Sequence, residues 1–157
     1  MDQELIQKAK EIIEKIIYIT LATATTDGIP WNTPLISAYD EKYNFYWRSA
    51  KDAIHSKNIK ANDKVFITIY DTFGQDWNFR EAVYIQATVK ELSSEAKINE
   101  ALFLIDKRSG TTFGKADQFM NNFPRRVYKA TPEKIWMNVD GEINGNFIDK
   151  RAEIKLV

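Results

Sequence analysis

The sequence predicts a single α+β domain: a mostly antiparallel sheet of six to seven strands that closes toward a barrel, one N-terminal helix and a few short flanking helices. Three observations carry this. Residues 3–17 set Leu5, Ile6, Ala9, Ile12, Ile13, Ile16 and Ile17 at three- and four-residue spacing opposite Lys8, Lys10, Glu11, Glu14 and Lys15, the stripe of an amphipathic helix. Beyond it, short runs rich in β-branched and aromatic residues alternate with turn signals, as in an antiparallel meander. So much strand with so few helices to cover it favours closure, which removes exposed edges. A length of 157 residues suits one domain over 1–157, or one protomer of an oligomer.

The elements follow in order. Asp2 is placed to cap the first helix, whose apolar face packs on the rest of the domain. Tyr18–Ala24 reads as a strand and Thr26-Asp27-Gly28 as a hairpin turn. Ile29–Tyr39 is the return strand, but Pro30 and Pro34 lack amide donors and belong at an edge or a bulge. Asp40-Glu41-Lys42 turns into an aromatic strand over Tyr43–Arg48, and a short helix over Ala53–Lys60 follows. Val65–Tyr70 and Ala82–Leu92 are strands, and Ser93 caps a helix over Glu95–Lys107. Ser109–Pro124 reads as loop with one helical segment. Arg126–Ala130 and Lys134–Asn138 are short strands hinged at Thr131-Pro132, and Arg151–Leu156 is a last one.

Composition excludes several functions. Twenty-two basic and 22 acidic side chains cancel, so the charge excess that displaces counterions from nucleic acid is absent. Without cysteine there is no disulfide, thiolate nucleophile, cysteine-bound zinc or iron–sulfur cluster. The single histidine, His55, argues against zinc held by two or three imidazoles, and no metal is expected. The longest charge-free stretch, Gly28–Tyr39, is twelve residues with two prolines, against the roughly 20 apolar residues of a spanning helix. Asp2 and Glu4 open the chain unlike a signal peptide, so a cytoplasmic protein without membrane attachment is expected.

Two motifs fail on counting. Gly110-Thr111-Thr112-Phe113-Gly114-Lys115-Ala116 has three residues between its glycines where a P-loop needs four, and Ala116 stands where Ser or Thr should bind magnesium. Asp140-Gly141-Glu142-Ile143-Asn144-Gly145 begins like a calcium loop, but Arg151 occupies the position of the bidentate glutamate, so it reads as a loop between strands.

The informative stretch is Tyr46–Asn58. A strand ends in Trp47 and Arg48, a loop supplies Ser49 and Lys51, and a helix begins that carries His55, Ser56 and Lys57. Free amides at a helix start with Arg, Lys and hydroxyl donors nearby suit a phosphate. A solvated basic turn capped by Asp52 is the plainer reading of the same residues. Trp31 and Trp47 on adjacent strands, with Trp136 on a later one, offer flat surfaces near it, although core or interface packing is the plainer reading of any one tryptophan. Prolines interrupt the ladder of Pro30-Trp31-Asn32-Thr33-Pro34-Leu35, leaving backbone groups free for a polar ring edge. Phosphate grip, aromatic surface and unpaired backbone together describe a pocket for flavin mononucleotide (FMN), with Arg48 and Lys57 converging on one dianion.

These residues resemble a known family. Thr20-Leu21-Ala22-Thr23-Ala24, then Asp27-Gly28-Ile29-Pro30 and Thr33-Pro34-Leu35, are similar to the opening hairpin of the pyridoxamine 5′-phosphate oxidase-like, FMN-binding split β-barrel family. Tyr43–Arg48, His55-Ser56-Lys57-Asn58-Ile59 and Asn62-Asp63-Lys64-Val65 resemble its third strand, phosphate helix and fourth strand, and Tyr128–Trp136 its closing hairpin. The resemblance spans residues 14–138 and rests on the order and spacing of loose motifs.

It implies a flavin ring against the backbone of Thr33, Pro34 and Leu35, and a phosphate near Trp47, Arg48, Ser49, His55, Ser56 and Lys57. It also implies a homodimer with shared flavin sites, where Trp136 or the Phe73–Arg80 loop reaches the partner's flavin. An isoleucine-rich helix on a half-open barrel independently favours a two-fold interface. Some members carry arginine at the position of Thr33, and many carry lysine at that of His55. The Arg-rich C-terminal segment with which the oxidase holds pyridoxal phosphate has no match in Arg151–Val157, so vitamin B6 oxidation is disfavoured. The implied activity is an FMN-dependent oxidoreductase moving electrons between a reduced carrier and a small acceptor, with no catalytic side chain assigned. The alternatives are a non-catalytic binder of flavin, haem or another planar ligand, and an interaction domain whose pocket its own aromatics close.

Overall fold

Among the described residues every strand pairing is antiparallel, and the hydrogen-bonded path runs from Pro30–Ile36 (β2) through Tyr18–Ala24 (β1), Lys64–Tyr70 (β5), Ala82–Glu91 (β6), Arg125–Ile143 (β7) and Phe45–Ala50 (β4) to Ala38–Tyr39 (β3), with Asn146–Ile154 (β8) on β7 off the path. The structure is a computed structural model describing residues 2–71, 81–112 and 114–157. Its elements are α1 (Asp2–Lys15), β1 (Tyr18–Ala24), β2 (Pro30–Ile36), β3 (Ala38–Tyr39), β4 (Phe45–Ala50), α2 (Ile54–Ala61), β5 (Lys64–Tyr70), β6 (Ala82–Glu91), α3 (Glu95–Ser109), a 3₁₀ turn (Ala116–Phe119), β7 (Arg125–Ile143) and β8 (Asn146–Ile154).

The two ends of the path, β2 and β3, are consecutive in the chain and separated only by Ser37. The strip must therefore curl until its ends lie side by side. No ladder closes it; the chain does, and the Ser37 amide donates to the Ile17 carbonyl at 2.9 Å to pin the joint. The sheet is thus a split barrel of eight strands, one more than the upper expectation. Pro30 and Pro34 sit on the terminal strand β2, where a missing amide costs no ladder bond.

Three expectations change. The return strand over Ile29–Tyr39 is interrupted at Ser37, and its parts, β2 and β3, stand at opposite ends of the path. The hinge at Thr131-Pro132 is absent, and β7 runs through as one strand of 19 residues. Gln86 faces Lys134 while Ala87 faces Pro132, so Glu133 is an extra residue in a β-bulge, which is how a central strand accommodates its proline. The Asp140–Gly145 loop and the late strand Arg151–Leu156 become a continuous hairpin. Asn144 and Gly145 hold φ of 53° and 77°, the left-handed pair of a type I′ turn, so β8 starts at Asn146. A smaller correction concerns α3: Ser94 rather than Ser93 precedes its first turn, and no side chain caps it.

Alternation along the strands divides the interior in two. Ala9, Ile12 and Ile13 of α1 pack with Ile19, Leu21, Phe45, Trp47, Ile67, Val83, Ile85 and Met137. Burying each large aliphatic side chain there contributes about 1.5–3 kcal/mol. Ile98, Ala101, Leu102 and Ile105 of α3 pack with Leu92, Phe119 and Val127 in a second cluster. Arg108 ties the two together. Its guanidinium donates to the carbonyls of Ile13 and, at 2.9 Å, Ile16 at the end of α1, and lies 4.7 Å from the Tyr39 ring centre. A cation on helix C-terminal carbonyls also complements the α1 dipole.

Candidate functional site

The side chains along β4 alternate, and this decides which predicted site residues meet. Phe45, Trp47 and Ser49 are buried on one face, while Tyr46 and Arg48 look toward α3 on the other. On the first face, His55 Nε2 and Ser49 Oγ are 2.8 Å apart, and both residues are buried. Helix α2 buries His55, Ser56, Asn58 and Ile59 and leaves Lys57 exposed. Trp47 Nε1 is buried with no hydrogen-bond partner, and the buried Ser56 hydroxyl lies beside the Tyr128 phenol.

A polar seam then runs from α2 to the edge strand. Asn58 Nδ2 donates to Thr23 Oγ1 (3.1 Å), Thr23 Oγ1 donates to the Trp31 carbonyl (3.3 Å), and Trp31 Nε1 donates to Thr33 Oγ1 (2.8 Å). Thr33, half-buried with Leu35 while Pro34 is exposed, is thereby linked to the helix that carries His55 and Ser56. Thr23 and Asn58 lie outside the predicted set. Their signal was weak but present: Asn58 falls three residues after His55, on the same buried face of a short helix.

Three predicted residues stand elsewhere. Arg48 is not brought to Ser49 and His55, because neighbours along a strand face opposite sides. Its Nη1 lies 3.6 Å from Asp106 Oδ1 on α3, and burial, with Arg125 adding to it, holds the guanidinium below its ordinary pKa against the pull of Asp106. With Lys57 exposed on α2, the two cations do not converge on one point. Trp47 has no accessible surface and stacks on Tyr128 (5.8 Å, 18°), so it is core and not a ligand platform. Trp136 lies on the outer face of the sheet, stacked on Phe66 (6.2 Å, 22°), which in turn packs against Tyr84. The Phe73–Arg80 loop lies outside the described residues.

Cavities of about 590, 400 and 310 Å³ are among those that open on the described surface, and these three are lined by other residues than the predicted set. Of the predicted set, Thr33 takes part in the seam at the β2 edge, while Ser49 and His55 form their own pair between β4 and α2.

Burial lowers the His55 pKa below its ordinary value, so the imidazole is neutral at pH 7 and bonds Ser49 as a neutral partner. The unfolded chain then takes up a proton that the folded protein refuses. Stability from this group is complete above about pH 6.5 and is lost as pH falls below it. Between about pH 7 and pH 5, His55→Gln is expected to flatten the loss of urea stability relative to wild type. Parallel curves for the two proteins would show that His55 is not held neutral.

A family model described as pyridoxamine 5′-phosphate oxidase matches residues 5–138. No curated protein matches the chain. Among solved structures, an F420 reductase superposes with a TM-score of 0.60 at 18% identity over 81% of this chain and 94% of that one. A haem-binding protein from Mycobacterium smegmatis gives 0.68 at 15% identity over 93% of this chain and 57% of that one. Campylobacter jejuni ChuZ gives 0.68 at 15% over 88% and 58%. The chain thus spans little more than half the length of the last two. At these identities the likeness establishes the fold.

Proposed function

Since the chain belongs to the pyridoxamine 5′-phosphate oxidase family, we propose that it binds FMN and acts as an oxidoreductase between a reduced carrier and a small acceptor. The observation that carries this reading is the seam joining α2 to the β2 edge, because it brings together the segments to which the resemblance assigns phosphate and ring. The chemistry of the donors fits. Ser56 is a buried hydroxyl whose neighbour is the Tyr128 phenol, the Ser49–His55 pair adds a hydroxyl and a neutral imidazole, and the exposed ammonium groups of Lys51 and Lys57 add charge. In this proposal Ser49, His55, Ser56 and Lys57 hold the phosphate, while Thr33, Pro34 and Leu35 meet the ring along an edge that proline keeps from pairing further. Arg48, engaged toward Asp106, has no part in it.

Bound flavin supplies the electron transfer; the chain supplies position, hydrogen-bonding groups and the charge of the two exposed lysines. Vitamin B6 oxidation stays disfavoured, as Arg151 packs 4.4 Å from the Tyr84 ring centre and pairs with Asp149 at 3.1 Å on β8. The outer-face aromatic row of exposed Phe66 with half-buried Tyr84 and Trp136 supports a homodimer with shared flavin sites.

The test is titration with FMN and with riboflavin, which lacks the phosphate. FMN should bind tighter than riboflavin, and Ser56→Ala with Lys57→Ala should weaken FMN at least tenfold (about 1.4 kcal/mol) while sparing riboflavin. Equal FMN affinity in both proteins removes the phosphate assignment. Likeness to a haem-binding protein favours a second reading, a non-catalytic holder of flavin, haem or another planar ligand. NADH or NADPH consumption with an artificial acceptor supports the enzyme; stably bound flavin without turnover supports the holder.

A further inference from the structure

The largest of the three cavities, about 590 Å³, lies between α3 and the opposite face of strands β4, β7 and β6 from the one that carries Ser49. Cross-strand register sets Tyr46, Lys129 and Lys90 in one row across its floor. Lys129 and Lys90 are direct partners, and like charges in that position destabilise a sheet. Lys97 lines the same cavity from α3. None of these three lysines forms a salt bridge among the described residues.

The acidic residues of the lining do not answer them. Glu133 is taken by Lys64, Thr88 and Gln86. Asp40 accepts from the Tyr46 hydroxyl (2.8 Å), the Asn44 side chain (2.7 Å) and the amides of Lys42 and Asn44. Glu100 is exposed on α3, as are Lys90 and Lys97 on their own elements, and forms no salt bridge among the described residues. The remaining surface is apolar: Ala101 and Leu104 from α3, Leu92, and the Tyr46 ring, over which the Lys129 ammonium sits at 5.9 Å.

Unanswered cations beside an aromatic and aliphatic wall recognise an anion with an apolar body. We infer that this cleft is a second ligand site, for an amphipathic organic carboxylate, with its carboxylate among Lys90, Lys97 and Lys129 and its apolar body between Tyr46, Ala101 and Leu104. Lysines act as point charges and bind carboxylate or phosphate alike. Asp40 and Glu100 near the Tyr46 end favour the singly charged group over a dianion. The volume falls within the range of roughly 300–1,000 Å³ usual for small-molecule sites. The inference does not depend on flavin binding.

The experiment follows backbone amide resonances of the full chain during titration with cinnamate and with its neutral amide, cinnamamide. Saturable shifts at Ala101, Leu104 and Lys129 are expected with cinnamate only. Lys90→Met with Lys129→Met keeps the aliphatic stems, relieves the like-charge pair and should weaken cinnamate at least tenfold while FMN uptake stays as in wild type. Lys97→Met, a change on the helix surface, should weaken it in the same direction. The site is refuted if wild type shows no saturable shift there, if cinnamamide binds as well, or if the lysine variants bind cinnamate unchanged.

Discussion

Trp47→Ala is expected to cost about 3–5 kcal/mol, the range for deleting a large aromatic side chain from a core. Trp47 has no accessible surface, packs in the α1 cluster and stacks on Tyr128 across the β4–β7 ladder. Removing it takes away that contact and leaves a void that a barrel strapped by neighbouring ladders fills poorly. Against a usual total of about 5–15 kcal/mol, such a loss leaves little or no folded protein at moderate urea. Trp47→Phe should cost far less. It keeps a ring against Tyr128 and deletes the Nε1 donor, which is buried without a partner and so contributes no bond to lose. Urea unfolding curves of the two variants check both statements. An Ala variant as stable as wild type would show that this ring does not hold the core.

The second large effect concerns assembly. Trp136 and Phe66 stack on the outer sheet face, Phe66 packs on Tyr84, and the exposed pair Tyr18–Ile36 lies on the same face. If a second copy covers this face, Trp136→Glu places a charge in the middle of the contact. The dimer dissociation constant should then rise on the order of a hundredfold, as for a central aromatic anchor. The fold should survive, because Trp136 is only partly buried in the single chain. Light scattering across a concentration series, with circular dichroism as the fold check, reads the outcome. A wild-type protein that stays monomeric at micromolar concentration, or a variant that associates as well as wild type, would remove both the dimer and the shared flavin sites.

Much of the fold was legible because local rules act over a few residues. The α1 stripe, the Tyr18–Ala24 strand and the edge position of the prolyl strand follow from periodicity and from the missing amides of Pro30 and Pro34. Two signals were present and outweighed. Asn144-Gly145 is a strong type I′ hairpin pair, but the acidic residues before it suggested a loop. Arg48 and Ser49 are consecutive on a strand and so must face opposite sides, which already separates them in space. Pro132 is the reverse case: a proline ordinarily marks a break, yet here a bulge across from Gln86 and Ala87 absorbs it.

Residue pattern was enough for the type and order of the elements from α1 to α3, apart from the break at Ser37, since side-chain period, turn chemistry and proline act within a short window; the extents of β7 and β8 were not legible there. The tertiary structure alone decided what each face meets. Arg48 found Asp106 on α3, 58 residues away, His55 found Ser49, and Asn58 found Thr23. Three lysines, scattered as Lys90, Lys97 and Lys129, were gathered into one cleft. These meetings depend on which strands pair and in what register, and that choice is made by burying apolar surface over the whole chain at once, where no local window can see it.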